Sequence, residues 1–336
     1  MSRKGKSKGK HKGKGKGKRQ TKRQAGPATP EPDPRAPEPP TQQSWARSKW
    51  DALVAPQPIE RLELLRILAP LAILAFLSSR LIHADEWLSA VGFQIPDLAG
   101  RDPVRQPIYL PPLPLAGAWA LAAATVASGL SLAAGLRTRL SAGVFAACLV
   151  YLALADRLAT FTVSKLGAVV VIALFFSPCG VRYGVDAWRR RRAQPEAPQP
   201  THVSGPNMLF FQLLLVVIYF GSGICKARGH WLEHPYLLWT HLHDSYQTPV
   251  SYALARTLPA WAWTVFQGTT LAFEIGAPLW FGLRRLRPIA LAYGLAMHAM
   301  IGLMFGPVIW FSTLMMSLLM ACYLPERWLA RIFAGR

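Results

Sequence analysis

Six ionisable residues stand inside or at the ends of long apolar stretches of this chain: Arg80, Asp156, Lys165, Lys226, Glu274 and His298. A charge near the centre of a bilayer costs at least about 2.5–3.5 kcal/mol, so each implies a partner, water or a task. Lys226 ends the run LLLVVIYFGSGICK. Desolvation against an apolar pocket disfavours an ammonium, and a lysine so placed can serve as a general base or nucleophile near neutral pH. The competing reading is a terminal lysine snorkelling to the interface, which applies equally to Arg80 and Asp156. Glu274 and His298 fall near the middle of their stretches and are candidates for a hydrogen-bonded pair between helices, either shaping a site or only joining two spans.

Just past Lys226 comes KARGHWLEHPYLLWTHLHDSYQTP, with His230 and His234 flanking Glu233, followed by His241 and His243. Imidazole and carboxylate clusters of this kind can bind zinc or copper, although the spacing matches no strong template; these four histidines are weak metal candidates beside solvent-facing ones. Trp231, Tyr236, Trp239 and Tyr246 fit an aromatic belt or the walls of a site for a flat lipophilic ligand. The four cysteines, Cys148, Cys179, Cys225 and Cys322, stand singly and suit small buried apolar positions.

The elements that must position these groups are membrane spans. Hydrophobic residues make up 51% of the chain, and eight apolar stretches cover roughly 62–83, 116–136, 139–157, 161–180, 208–226, 260–282, 288–305 and 307–324. The expected fold is an all-α integral membrane bundle of about eight helices, with a Pro-rich linker at 193–206 between two sets of four. With the amino terminus in the cytoplasm, every loop on that side is arginine-rich: Arg137 and Arg139, Arg182 with Arg189–Arg192, Arg284, Arg285 and Arg287, then Arg327, Arg331 and Arg336. The opposite loops hold Asp85, Glu86, Asp97, Asp102, Asp156 and Asp244. Both termini are therefore expected inside. Arg80, Lys165 and Lys226 then fall toward the non-cytoplasmic helix ends, which suggests a cavity opening on that side.

The net charge of +21 is lopsided, because twelve Lys and Arg lie between Arg3 and Arg23. Residues 1–44 read as a disordered tail, first Lys/Gly-rich and then Pro-rich, unable to bury a core. Its expected partner is anionic lipid headgroups. Nucleic acid is not expected, since no folded reader with stacking aromatics accompanies the lysines. No apolar run near the start reads as a cleavable signal. The membrane expected is a bacterial inner membrane.

The carboxyl half carries Tyr219-Phe-Gly-Ser-Gly-Ile-Cys-Lys226, then Trp231, Glu274, Pro278, Arg285, Pro288, His298 and Phe305; the amino half adds Arg66-Ile-Leu and Ser177-Pro-Cys-Gly-Val-Arg-Tyr-Gly-Val-Asp186. In order and spacing these resemble the HTTM (horizontally transferred transmembrane) family, related to vitamin K-dependent gamma-carboxylase. The resemblance implies that Lys226 matches the base that starts oxidation of vitamin K hydroquinone, and that His298 falls where the carboxylase has a histidine in a later span. Thr160–Leu166 lacks the histidine the carboxylase carries there, and Lys165 is the nearby substitute. The lumenal domain that reads a protein substrate in full carboxylases is not among these residues, which points instead to a quinol such as vitamin K hydroquinone or menaquinol, or to another lipophilic substrate. In this reading Lys226 is the base, His298, Glu274 and Lys165 complete the catalytic set, and Arg80, Trp231 and Tyr219 bind substrate. The alternative is a non-catalytic module binding a partner or lipid, similar to DoxX-type proteins in the Ser-Pro-Cys-Gly span ending. A transporter ranks last, because Pro70 and Pro278 do not break matching helices of the two halves.

Overall fold

A computed structural model describes residues 42–92, 110–155, 161–231, 233–234, 236–243 and 246–334. The basic and Pro-rich tail through residue 41 and Asp156 lie outside the described residues. The chain falls into two units, Met1–Ser48 and Lys49–Arg336; of the first, only the opening residues of helix α1 (Gln42–Leu53) are described.

The second unit is all-α apart from one two-residue ladder, β1 (Gln57–Pro58) against β2 (His202–Val203). Its amino half holds α2 (Glu60–Ile82), α3 (Ala84–Trp87), α4 (Leu115–Ala134), α5 (Thr138–Ala155), α6 (Thr162–Phe176) and α7 (Val185–Ala193). Its carboxyl half holds α8 (Gly205–Arg228), α9 (Leu237–His241), α10 (Pro249–Thr257), α11 (Ala260–Ile275), α12 (Ala277–Gly282), α13 (Arg287–Met304), α14 (Ile309–Tyr323) and α15 (Glu326–Phe333). Among the described residues six helical segments are long and apolar enough to cross a membrane: α2, α4, α5, α8, α13, and α14 with the turn before it. The protein is an integral membrane protein of helical class.

The two remaining expected spans differ from the sequence reading for local reasons. The span over 161–180 is helical only to Phe176. Ser177 precedes Pro178 and is extended (φ −93°, ψ 151°), because proline drives its predecessor out of the helical region. The span over 260–282 breaks at Gly276 into α11 and α12. Pro278 sits in the first turn of α12, where its missing N–H costs nothing but cannot continue the α11 ladder.

Successive bundle helices run antiparallel, and contacts collect their ends into two groups. At one end Ile59 N–H donates to Thr201 O (3.0 Å), Asp186 N–H to Gly135 O (3.1 Å), and Arg61 Nη1 to Ala321 O (3.1 Å), while Arg287 lies over the Tyr323 ring. At the other, Ala90 N–H donates to Leu113 O (2.8 Å), Tyr151 Oη to Pro111 O (2.5 Å), and Thr248 Oγ1 to Leu303 O (2.7 Å). The first end carries the arginine clusters of α7 and of the α4–α5, α12–α13 and α14–α15 junctions. The second has Arg80, Lys165, Lys226, Arg228 and Arg256.

Helix α2 is the axle of the amino half, with Leu62, Leu65, Ala69 and Ile73 fully buried. At its arginine-end turn lies a buried ion pair that the sequence reading overlooked. Arg66 Nε donates to Glu63 Oε2 (2.7 Å), Nη1 to the Leu132 and Ala133 carbonyls, and Nη2 to Tyr183 O (all 2.7 Å). Glu63 Oε1 accepts from Gly180 N–H (3.0 Å) and Arg182 N–H (3.3 Å). Gly180 (φ +77°) and the α4 cap Gly135 (φ +72°) occupy left-handed conformations, which glycine adopts without strain. The Ser-Pro-Cys-Gly-Val-Arg-Tyr-Gly segment is thus a turn folded around the Glu63 carboxylate.

Candidate functional site

Helix α8 meets the end of α11 through a glycine. A Cβ on Gly223 would lie 2.8 Å from the Ile275 nitrogen and 3.1 Å from the Glu274 carbonyl carbon, so only glycine permits this approach. One turn further along α8, Lys226 Nζ donates to both carboxylate oxygens of Glu274 at 2.7 Å and to Ser222 Oγ at 2.8 Å. Ser222 Oγ in turn donates to Glu274 Oε1 (3.2 Å). The Lys226 side chain is 24% exposed and that of Glu274 8%, so the lysine lies nearer the bundle surface than the carboxylate it holds. The ammonium also lies 5.3 Å from the Trp231 ring centroid, within cation–π range.

Two turns deeper along α8, Tyr219 Oη and His298 Nε2 share a hydrogen bond of 2.8 Å. Both residues are 2% exposed, and His298 Nδ1 has no partner among the described residues. Phe273, Phe281 and Phe311 wall this pair at ring separations of 5.1–6.0 Å. The expected Glu274–His298 pair is therefore corrected. Glu274 takes Lys226 and His298 takes Tyr219, because the close approach of α8 to the end of α11 at Gly223 brings the carboxylate level with Ser222 and Lys226.

The remaining sequence candidates are placed as follows. Trp231 covers the ammonium and is itself fixed by its indole N–H to Gln267 O (3.1 Å). Gln267, 3% exposed on α11, returns Nε2 to the Trp231 and His234 carbonyls (2.9 and 3.0 Å) and accepts Leu238 N–H (3.1 Å). The first half of α11 thus runs alongside the segment after α8, which explains why a helix-end lysine and a mid-span glutamate come level. Arg80 is half-buried, with its guanidinium over Phe76 (5.6 Å) and Trp87 (5.9 Å). Lys165 is exposed on α6, and no hydrogen bond or ion pair among the described residues joins it to Lys226, Glu274 or His298. Of the cysteines, Cys148, Cys179 and Cys322 are buried, but Cys225 faces outward on α8.

The histidines divide. His230, Glu233 and His234 stand together, with His230 Nδ1 2.5 Å from Glu233 Oε2. That bond raises the His230 pKa above its ordinary 6.5 and lowers that of Glu233 below its ordinary 4.5. The pair therefore fades as pH rises through the His230 value or falls through the Glu233 value. His241 and His243 instead bond backbone carbonyls, of Leu237 (2.7 Å) and Trp239 (2.9 Å). A hollow of about 470 Å³ lined by Tyr236, Trp239, Thr240, Leu258, Ala260 and Trp263 opens beside this segment; Lys226 is not among its lining residues.

Neither the curated proteins nor the solved structures include a significant match to this chain. The HTTM domain family model matches residues 105–328, from just before α4 to α15 and through every residue of the Lys226 centre. With two thirds of its length inside that match, the chain belongs to the HTTM domain family.

Proposed function

We propose that this protein acts on a quinol or another lipophilic substrate at the non-cytoplasmic side of the membrane, with Lys226 as the base. The observation that carries this reading is the Lys226–Glu274–Ser222 centre, a partly exposed lysine on a buried carboxylate at the rim of an apolar bundle. When a bound apolar substrate excludes water, separated charges lose their solvation and the neutral pair gains. The proton on Nζ then passes to a Glu274 oxygen, leaving Lys226 as a free amine beside a carboxylic acid. The amine takes the proton of a substrate hydroxyl, which becomes an oxyanion next to the re-formed ammonium. Trp231 supplies a flat face for a ring, Ser222 holds the carboxylate, and Tyr219–His298 borders the deep end.

Eight spans with both termini and the basic tail in the cytoplasm complete the reading, supported by the concentration of arginines at one end of the bundle. A bacterial inner membrane is its setting, vitamin K hydroquinone or menaquinol its candidate substrate, and anionic headgroups the partner of the tail. Lys165 and Arg80 supply positive charge at the same end.

A second reading rests on the same geometry. A carboxylate that saturates the lysine also clamps α8 to α11, and a clamp alone would suit a non-catalytic module. Incubating purified protein with reduced vitamin K or menaquinol under oxygen, and analysing the quinones, separates the two. Epoxide formed by the wild type and absent with Lys226→Ala supports the base. No turnover and no quinol binding by the wild type supports the clamp.

A further inference from the structure

We propose that His230, Glu233 and His234 form a binding site for one divalent transition-metal ion of the zinc class, on the segment that covers Lys226. Each residue offers one ligand atom, and these atoms all lie within 4.8 Å of one another. Zinc bonds of about 2.0–2.2 Å hold donors roughly 3–4 Å apart, a spacing within reach of small side-chain rotations. Two imidazoles and one carboxylate are a borderline donor set. It suits Zn²⁺, Co²⁺, Ni²⁺ or Cu²⁺, whereas Ca²⁺ and Mg²⁺ favour oxygen cages and Cu⁺ favours sulfur. Three protein ligands leave a further position for water.

The backbone under these side chains is already held. His234 N–H donates to His230 O (3.2 Å), a one-turn spacing that sets the two imidazoles side by side, tilted by 42° with ring centroids 5.9 Å apart. Gln267, almost fully buried, pins both the Trp231 and the His234 carbonyls to α11. Binding therefore needs only side-chain ordering, the smaller part of the cost of assembling a site. His230 and Glu233 share a hydrogen bond of 2.5 Å, and a cation takes the place of that shared proton. The exposure of all three residues gives the ion open access from water. His241 and His243 are engaged with carbonyls elsewhere and are not needed. Because Trp231 lies between the ligands in sequence, a bound ion would staple the indole in place over the Lys226 ammonium.

The test uses tag-free full-length protein in detergent, with Co²⁺ as a spectroscopic probe and Zn²⁺ titrated by calorimetry. One ion per chain is expected, with the visible absorption of four- or five-coordinate cobalt. His230→Ala and His234→Ala are expected to weaken binding about tenfold or more. Glu233→Gln, which keeps the side-chain shape, is expected to weaken it as well, and His243→Ala to leave it unchanged. Thermal melts without metal confirm that each variant is folded. Absence of binding by the wild type up to about millimolar metal overturns the proposal, as does equal affinity in the His230→Ala/His234→Ala double variant. Metal binding is read directly, so its outcome is independent of whether the protein turns over a quinol.

Discussion

A lysine gripped by both oxygens of a carboxylate has two separable properties, its charge and its proton, and substitutions can remove one without the other. Lys226→Arg keeps a cation for Glu274 but cannot deprotonate near neutral pH. It is expected to retain the thermal stability of the wild type within a few degrees while abolishing quinol oxidation. Retained turnover in this variant would remove Lys226 as base. Lys226→Ala strands the Glu274 carboxylate, 8% exposed, and is expected to cost on the order of 3–5 kcal/mol. Adding Glu274→Gln is expected to recover much of that loss, which a double-mutant cycle in denaturant reads as a coupling energy. At the surface, His230 in metal-free protein is expected to titrate above 6.5 by NMR and to return toward that value in Glu233→Gln. Lys226, Glu274 and His298 were all legible in the sequence, because a charge in an apolar run stands out at any register. Which of them meet was not legible, since partner choice depends on helix rotation and on where α11 breaks.

Helices, in turn, are joined here by a close glycine contact and by the network around the buried Glu63–Arg66 pair, as well as by Lys226 and Glu274. Gly223 lets the α8 backbone touch the α11–α12 junction. Gly223→Ala puts a methyl 2.8 Å from a main-chain nitrogen that cannot swing aside, so α8 must back away. The expected outcome is a loss of about 1–3 kcal/mol together with reduced activity, because the same shift opens the Lys226–Glu274 contact. A melt unchanged from the wild type would show that the close approach is not needed. Glu63 makes the parallel case on α2. Glu63→Ala frees the Gly180 and Arg182 amides and leaves the Arg66 guanidinium buried without its counter-ion, a loss of roughly 3–5 kcal/mol measurable as a lowered melting temperature. Glu63 and Arg66 are three residues apart at the edge of an apolar run, opposite charges one turn apart. That spacing was the available signal, but snorkelling side chains at a helix start look the same in sequence. Only the turn brought in from beyond α6 makes the pair internal, and no local pattern announces that contact. The α11–α12 break was more accessible, as Gly276 and Pro278 stand within three residues of each other.

For the whole molecule, the arginine asymmetry was legible because it is a bulk property of loops and does not depend on packing. The described contacts add that the arginine-rich junctions do meet at one end and that the Lys226 centre lies toward the other. The proposed orientation in the membrane rests on these two facts and the positive-inside rule, and it sets which compartment would supply a substrate to Lys226 and a metal ion to His230. Single cysteines test it in a Cys225→Ser background, because Cys225 is the exposed native thiol while Cys148, Cys179 and Cys322 are buried. Ala90→Cys sits on an exposed turn after α3 at the Lys226 end, and Gln194→Cys follows the α7 arginines at the opposite end. A membrane-impermeant maleimide is expected to label Ala90→Cys in intact cells and Gln194→Cys only after permeabilisation. The reverse pattern would turn the molecule over and place Lys226, Trp231 and the three metal-binding candidates in the cytoplasm. There, glutathione and tight zinc buffering would deprive the His230 cluster of free metal, and the quinol reaction would have to draw on the inner leaflet.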